Sequence, residues 1–238
     1  MLEPQHIKAK RGEIAERVVI AGDPARVVQL SSRLEDARLV NEYRGFTIYT
    51  GNYRDKRLTV ACHGVGAPSV AIVVEELIML GAKAIVRLGT CGGLLKQMKI
   101  GDLLVVTSAG YRGGALDYYI KDGHATPIPD SGLTRMLVDS AKEEGVRYHT
   151  GSVFSTDAFY AEDPDLVRTW AEGGYAAVEM ECATLFGLGT IRGAKTASAL
   201  LVSDNLFEMQ PMAAAEALEE HVARAGKIVF QSLVLSQT

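Results

Sequence analysis

Five apolar runs of strand length, residues 17–21, 58–62, 84–88, 103–107 and 197–202, set the strongest limit on what this chain can fold into. None alternates cleanly between apolar and polar side chains, so each is expected to be covered on both faces, since a strand with one wet face keeps polar residues at alternate positions. The covering elements are legible between the runs. Residues 69–80 carry Val70, Val73, Val74, Leu77 and Leu80 at helical spacing, with Ser69 placed to cap and Gly81 where a helix stops. Asp23 and Pro24 read as a cap and a first helical residue, opening a helix through about Arg33. Residues 184–190 and 212–234 complete the predicted helices, the last amphipathic through Leu218, Val222, Ala225, Val229 and Leu233. Strands alternating with helices predict an α/β layer fold. The 238 residues hold no repeat, low-complexity tract or Pro/Gly-rich linker, which favours a single domain over residues 1–238. Residues 109–132 are the longest expected irregular stretch, a length that is often functional in a compact domain.

Charge and cysteine usage narrow the functional classes. A formal net charge of −4, from 25 basic and 29 acidic residues, speaks against a nucleic-acid footprint, which needs clustered Lys and Arg. Any bound anion should therefore be small. Cys62, Cys91 and Cys182 show no metal-type spacing, so reduced thiols in the cytoplasm are expected. The first 17 residues carry charges throughout and no apolar core, and no run approaches the roughly 18–20 apolar residues that span a bilayer. Neither a secretory nor a membrane location is expected.

Four segments carry candidate chemistry. In Gly22-Asp23-Pro24-Ala25-Arg26 a glycine ends a predicted strand and a helix begins, with an arginine one turn in; free helix-start amides and a guanidinium suit an anion, although a plain strand-turn-helix connection reads the same way. Arg87 lies inside an apolar strand, where a lone cation is costly, so it either pairs with a carboxylate or waits for a ligand. Gly89, Thr90, Gly92 and Gly93 after it supply bare backbone and a hydroxyl at the carboxyl end of a strand, where open α/β sheets bind ligands. The spacing is neither that of a Walker loop nor that of a dinucleotide fingerprint. In Val178-Glu179-Met180-Glu181 two carboxylates two residues apart point the same way if extended, and buried carboxylates need donors such as a pair of ribose hydroxyls, unless the segment is a solvated edge strand or a structural ion pair. Finally, Ser203-Asp204 ends the most apolar run. Burial there would raise the Asp204 pKa and place it to deliver a proton, unless it is simply a helix cap.

In this order and at these spacings the segments resemble the hexameric branch of the nucleoside phosphorylase family, the purine nucleoside and methylthioadenosine phosphorylases of bacteria and archaea, from His6 to about Leu206. The resemblance implies an α/β fold with a central mixed β-sheet surrounded by helices. It implies phosphate held by Gly22, Arg26, Arg44, Arg87 and Thr90, and ribose held by His6, Glu181 and the Met180 backbone. Phe159 would stack on the base unless it is core packing, and Ser203 and Asp204 would meet the base, with Asp204 as general acid toward N7 or a C6 amino group. No resident cofactor or metal is implied, inorganic phosphate being the co-substrate. Arg44, in Asn41-Glu42-Tyr43-Arg44-Gly45-Phe46, and His6 would be lent to a neighbouring subunit of a hexamer built as a trimer of dimers. One departure stands out: where many bacterial relatives carry an arginine that assists the aspartate, this chain has Ala217. That departure favours broad use of 6-amino and 6-oxopurine nucleosides, including 5′-methylthioadenosine.

Three competitors are weighed. A uridine-specific relative would present Gln and Arg within residues 155–160, and neither occurs there. A hydrolytic nucleosidase has no use for Arg26, Arg44 and Arg87. A catalytically silent nucleoside-binding protein could dispense with Asp204 or the arginines, and all are present.

Overall fold

The computed structural model describes residues 3–120, 127–161 and 163–236. In chain order its elements are β1 (Arg17–Ala21), α1 (Pro24–Ser31), β2 (Glu35–Asn41), β3 (Ile48–Tyr53), β4 (Lys56–Cys62), α2 (Ala67–Met79), β5 (Ala84–Gly93) and β6 (Leu103–Tyr111). There follow α3 (Ser131–Glu143), β7 (Tyr148–Ser155), α4 (Pro164–Glu172), β8 (Ala177–Glu179), α5 (Cys182–Arg192), β9 (Lys195–Asn205) and α6 (Glu219–Leu235). All five apolar runs lie in strands, and the α/β expectation with a mixed sheet is met.

The strand order is β2-β3-β4-β1-β5-β8-β7-β6-β9, and β9 also pairs with β5. Strands β5, β8, β7, β6 and β9 therefore close on themselves, while β1, β4, β3 and β2 extend the sheet from β5. Parallel pairs (β1 with β4 and β5, β5 with β9, β6 with β7, β7 with β8) mix with antiparallel ones.

The unbroken apolar strands follow from two cores. Val18 and Ile20 join Val70, Val73 and Leu185 on the face covered by α2 and α5, whereas Val19 and Ala21 join Val27, Leu30, Ile228 and Val229 on the face covered by α1 and α6. Each fully buried Val, Leu or Ile contributes about 1.5–3 kcal/mol, so both faces of the strands stabilise the fold.

Several boundaries differ from the sequence expectation for local reasons. Helix α2 starts at Ala67 behind Gly66, whose φ of +84° suits glycine, and Ser69 does not cap but donates to the His63 carbonyl at 2.5 Å. The helix expected over 212–234 begins as a short 3-10 turn, Ala215–Leu218, because Ala213 N–H donates to the Ser203 carbonyl at 2.8 Å and holds the chain against β9. The stretch 109–132 contains the end of β6, a 3-10 turn (Ala115–Tyr118) and the start of α3; residues 121–126 of it lie outside the described residues.

Candidate active site

Strand β5 pairs with β9 along its whole length on one side. On the other side it pairs with β1 through Arg87 and with β8 only from Gly92. Residues 88–91 thus face a gap where one neighbour gives way to the next, the place where α/β sheets form crevices. A cavity of about 420 Å³ opens there, lined by all four candidate segments together with Gly64, Val65, Thr156, Phe159 and Met212.

One end of the cavity gathers the guanidinium groups. Asp23 caps α1 by accepting from Ala25 N–H at 2.8 Å, which orients the first turn so that Arg26 reaches over and donates to the Leu88 carbonyl at 3.3 Å. Burial lowers the Arg26 pKa, and the positive field of Arg87 lowers it further, so the two cations share one neighbourhood. Gly22 is needed: a Cβ there would stand 2.9 Å from the Gly64 carbonyl oxygen. Gly89 is needed too, because a Cβ would collide with the Arg87 guanidinium. Thr90 completes this wall.

Of the two expectations for Arg87, the carboxylate pairing is the one found. Its Nη2 pairs with Glu181 Oε2, and Nη1 stands 3.5 Å from Glu179 Oε2, yet among the described residues Nη1 and Nε have no hydrogen-bond partner. Burial disfavours its charge, but Glu181 and Glu179 outweigh that and hold it firmly ionised. Glu181 accepts from Gly66 N–H at 2.7 Å; burial would raise its pKa, but Arg87 and that amide bring it below the usual value. Glu179 ends β8, and Glu181 lies beyond it in a bend before α5 with φ −138° and ψ −22°, so both carboxylates reach Arg87 although the segment is not extended through Glu181 as the spacing suggested.

The opposite end holds Asp204. In the β5–β9 register Cys91 faces Val202 and Gly92 faces Asp204, which leaves Ser203 as an extra residue. That bulge breaks the two-residue alternation, so consecutive Ser203 and Asp204 both line the cavity. Asp204 lies inside β9 and is not a helix cap. Burial raises its carboxyl pKa, opposed by the Ser203 hydroxyl 2.7 Å from Oδ1. Gly92 leaves room for it, since a Cβ there would meet Oδ2 at 3.0 Å. Phe159 is 42% exposed on a 3-10 turn (Phe159–Ala161) and lines the cavity, so it is not core packing. Met180 also lines it. Ala217 is exposed and outside the lining.

His6 and Arg44 do not line the cavity of their own chain. His6 Nδ1 lies 2.8 Å from Glu76, whose buried carboxylate also accepts from the amides of Gln5, His6 and Ile7. The His6 ring packs edge-on against Phe46 at 6.4 Å, and Arg44 sits two residues before Phe46, exposed, in a 3-10 turn (Tyr43–Gly45) with φ +58°. The two residues therefore occupy one edge of the molecule.

Two features are not evident from the sequence. The part played by Glu179 is one: it accepts from Ser155 Oγ and from the amides of Glu181 and Cys182 at 2.9–3.1 Å, and so shapes the Glu181 turn. His63 is fully buried with neither ring nitrogen hydrogen-bonded among the described residues. Burial first, then the charge of Arg87, drives its pKa to about 3, leaving it neutral. The three cysteines are free and buried, and burial pushes each thiol up. Among the described residues no His/Cys/Asp/Glu group could hold a metal ion, and no helix is long and apolar enough to cross a membrane.

Two arginines and a carboxyl of raised pKa within one crevice of a mixed sheet mark the candidate active site of an α/β protein. The phosphorylase superfamily model matches residues 16–234, and the chain belongs to that superfamily. It is 38% identical over 213 residues to the DeoD-type purine nucleoside phosphorylase of Caldanaerobacter subterraneus subsp. tengcongensis, covering 89% of this chain and 92% of the relative. It is 37% identical over 213 residues to the DeoD-type purine nucleoside phosphorylase of Geobacillus kaustophilus (89% and 90% covered). To that of Xenorhabdus nematophila it is 37% identical over 203 residues (84% and 85%).

Proposed function

We propose that this enzyme is a pentosyltransferase that cleaves purine nucleosides with inorganic phosphate, yielding the free base and ribose 1-phosphate. The observation that carries the reading is the convergence of Arg26 and Arg87 on the end of the cavity opposite Asp204. Phosphate would sit against Gly22, Arg26, Arg87 and Thr90. Glu181 and the Met180 backbone would take the ribose hydroxyls, and Phe159 the face of the base.

As the glycosidic bond breaks, negative charge grows on the base and positive charge on the sugar carbon. Asp204, kept protonated more readily by burial, would give its proton to N7 or to a C6 amino group, with Ser203 as its hydrogen-bond partner. Glu181 and phosphate would face the electron-poor sugar. No resident cofactor is called for.

The charge balance argues for a lent residue. Glu179 and Glu181 both face Arg87, and Asp23 lies near Arg26, so a phosphate dianion calls for a further cation. Arg44 of a neighbouring subunit would supply it, and His6 on the same edge would reach the sugar 5′ side. A hexamer made of such pairs is the assembly we propose, and the free thiols suit the cytoplasm. With Ala217 in place of an assisting arginine and outside the cavity lining, substrates would include adenosine, inosine, guanosine and 5′-methylthioadenosine.

The test is base release from this panel with and without phosphate. Release should require phosphate; equal release in phosphate-free buffer would mean a hydrolase. Asp204→Asn should lower kcat on adenosine by about 10²–10⁴-fold. Unchanged turnover would remove Asp204 from the chemistry.

A further inference from the structure

The nucleoside cavity continues past Asp204. A second cavity of about 780 Å³ shares Asp204 and Met212 with it and runs between α4 and the loop 205–212. That loop is a built wall. Gln210 N–H donates to the Asn205 carbonyl at 2.8 Å, Asn205 N–H donates back at 3.2 Å, and Glu208 N–H donates to Asn205 Oδ1 at 3.0 Å. Asn205 itself is buried and donates from Nδ2 to the carbonyls of Leu95 and Met98 at 3.1 and 2.9 Å, which anchors the loop to the body of the protein.

The wall so held presents Phe207 (53% exposed) and Met209 (88% exposed) opposite Val167 and Ala171 of α4. Large apolar side chains on a tied-down loop gain nothing from the core, and a rimmed apolar surface beside a ligand cavity marks binding. Asp204 stands at the boundary between the two spaces.

Resting on the purine nucleoside reading, we propose that this groove is a subsite for an apolar alkyl or aryl group carried on the C6 substituent of the base. Asp204 meets the N7/C6 edge of a purine, so a group attached at that edge leaves the nucleoside cavity where the groove begins. Its walls are predominantly aliphatic, aromatic and thioether surface, which gains by covering a hydrocarbon group, while the charged side chains in its lining are Asp163, Arg168, Glu172 and Asp204.

The experiment compares adenosine with N6-benzyladenosine, in phosphate, on the wild-type chain, Phe207→Ala and Ala171→Trp. Wild type should process the benzyl substrate with a kcat/KM within about tenfold of adenosine. Phe207→Ala, at an exposed position that folding does not need, should lose about tenfold on the benzyl substrate alone. Ala171→Trp should fill the groove and exclude it. Calorimetric titration with 6-benzylaminopurine and with adenine reads the same subsite without turnover, and the wild-type preference should fall in both variants. Failure to cleave any nucleoside with phosphate would sink the phosphorylase reading while the titrations still judge the groove. Binding of adenine but not of 6-benzylaminopurine, or equal losses on both substrates in Phe207→Ala, overturns the subsite. So does a smaller oligomer for Phe207→Ala by light scattering, which would make the loop a subunit contact.

Discussion

Arg87 shows how a single buried charge organises this site. An arginine in an apolar strand announces a partner or a ligand, and here two carboxylates hold it while Nε and Nη1 keep hydrogens without an acceptor among the described residues. Removing one partner leaves charge and amides unpaired, so Glu179→Ala should destabilise the protein by about 3–5 kcal/mol in denaturant unfolding. A loss within experimental error would show that Glu181 alone suffices. His63 makes a prediction of opposite character. Its pKa is about 3 folded and ordinary, near 6.5, when unfolded, so between those values the unfolded chain binds a proton that the folded chain refuses. Stability from this group is fully present above about pH 6.5 and falls as pH drops, by up to about 1.4 kcal/mol per pH unit. The acid-side slope of stability against pH should therefore flatten in His63→Asn; an identical slope would show that the ring is charged in the fold. Residue types were readable one by one, but burial was not. Nothing in the run around His63 distinguishes a solvated histidine from one enclosed beside two arginines.

At the scale of elements, the decisive features are a gap and a bulge. The gap beside residues 88–91 exists because β1 and β8 pair with opposite ends of β5, and the bulge at Ser203 turns two consecutive side chains into one cavity. Gly89 is where the gap is tightest. Gly89→Ala should displace the Arg87 guanidinium and raise the KM for phosphate by at least about tenfold, more than the KM for nucleoside. Equal effects on both would mean general damage rather than a phosphate-side one. The strands buried on both faces were legible because they are continuous apolar runs. Strand β2, with the sequence EDARLVN, was not, since an edge strand carries polar residues that look like a loop. Helix α4 was missed because Trp170 is its one buried residue, too little for a periodic signal.

For the whole molecule, the edge that carries His6, Phe46 and Arg44 lies outside the cavity that needs another cation. If neighbours exchange Arg44, a chain with Arg44→Ala and a chain with Asp204→Asn should each be weak as pure assemblies yet restore activity when mixed. Random reciprocal pairing equips about one quarter of the cavities fully, so roughly a quarter of wild-type activity is expected. Simple averaging of the two weak activities would show that each chain completes its own site. The amino-acid order alone determined the α/β layering and the four short segments that carry chemistry, because apolar runs, caps and glycine-flanked charged residues are local signals. Tertiary structure alone decided that these segments meet around one crevice, that Asp204 belongs to a strand rather than a helix cap, and that Glu179 and His63 are buried beside Arg87. Those facts depend on strand pairing between residues more than 100 positions apart, such as Cys91 with Val202, and no local pattern encodes which strands become neighbours.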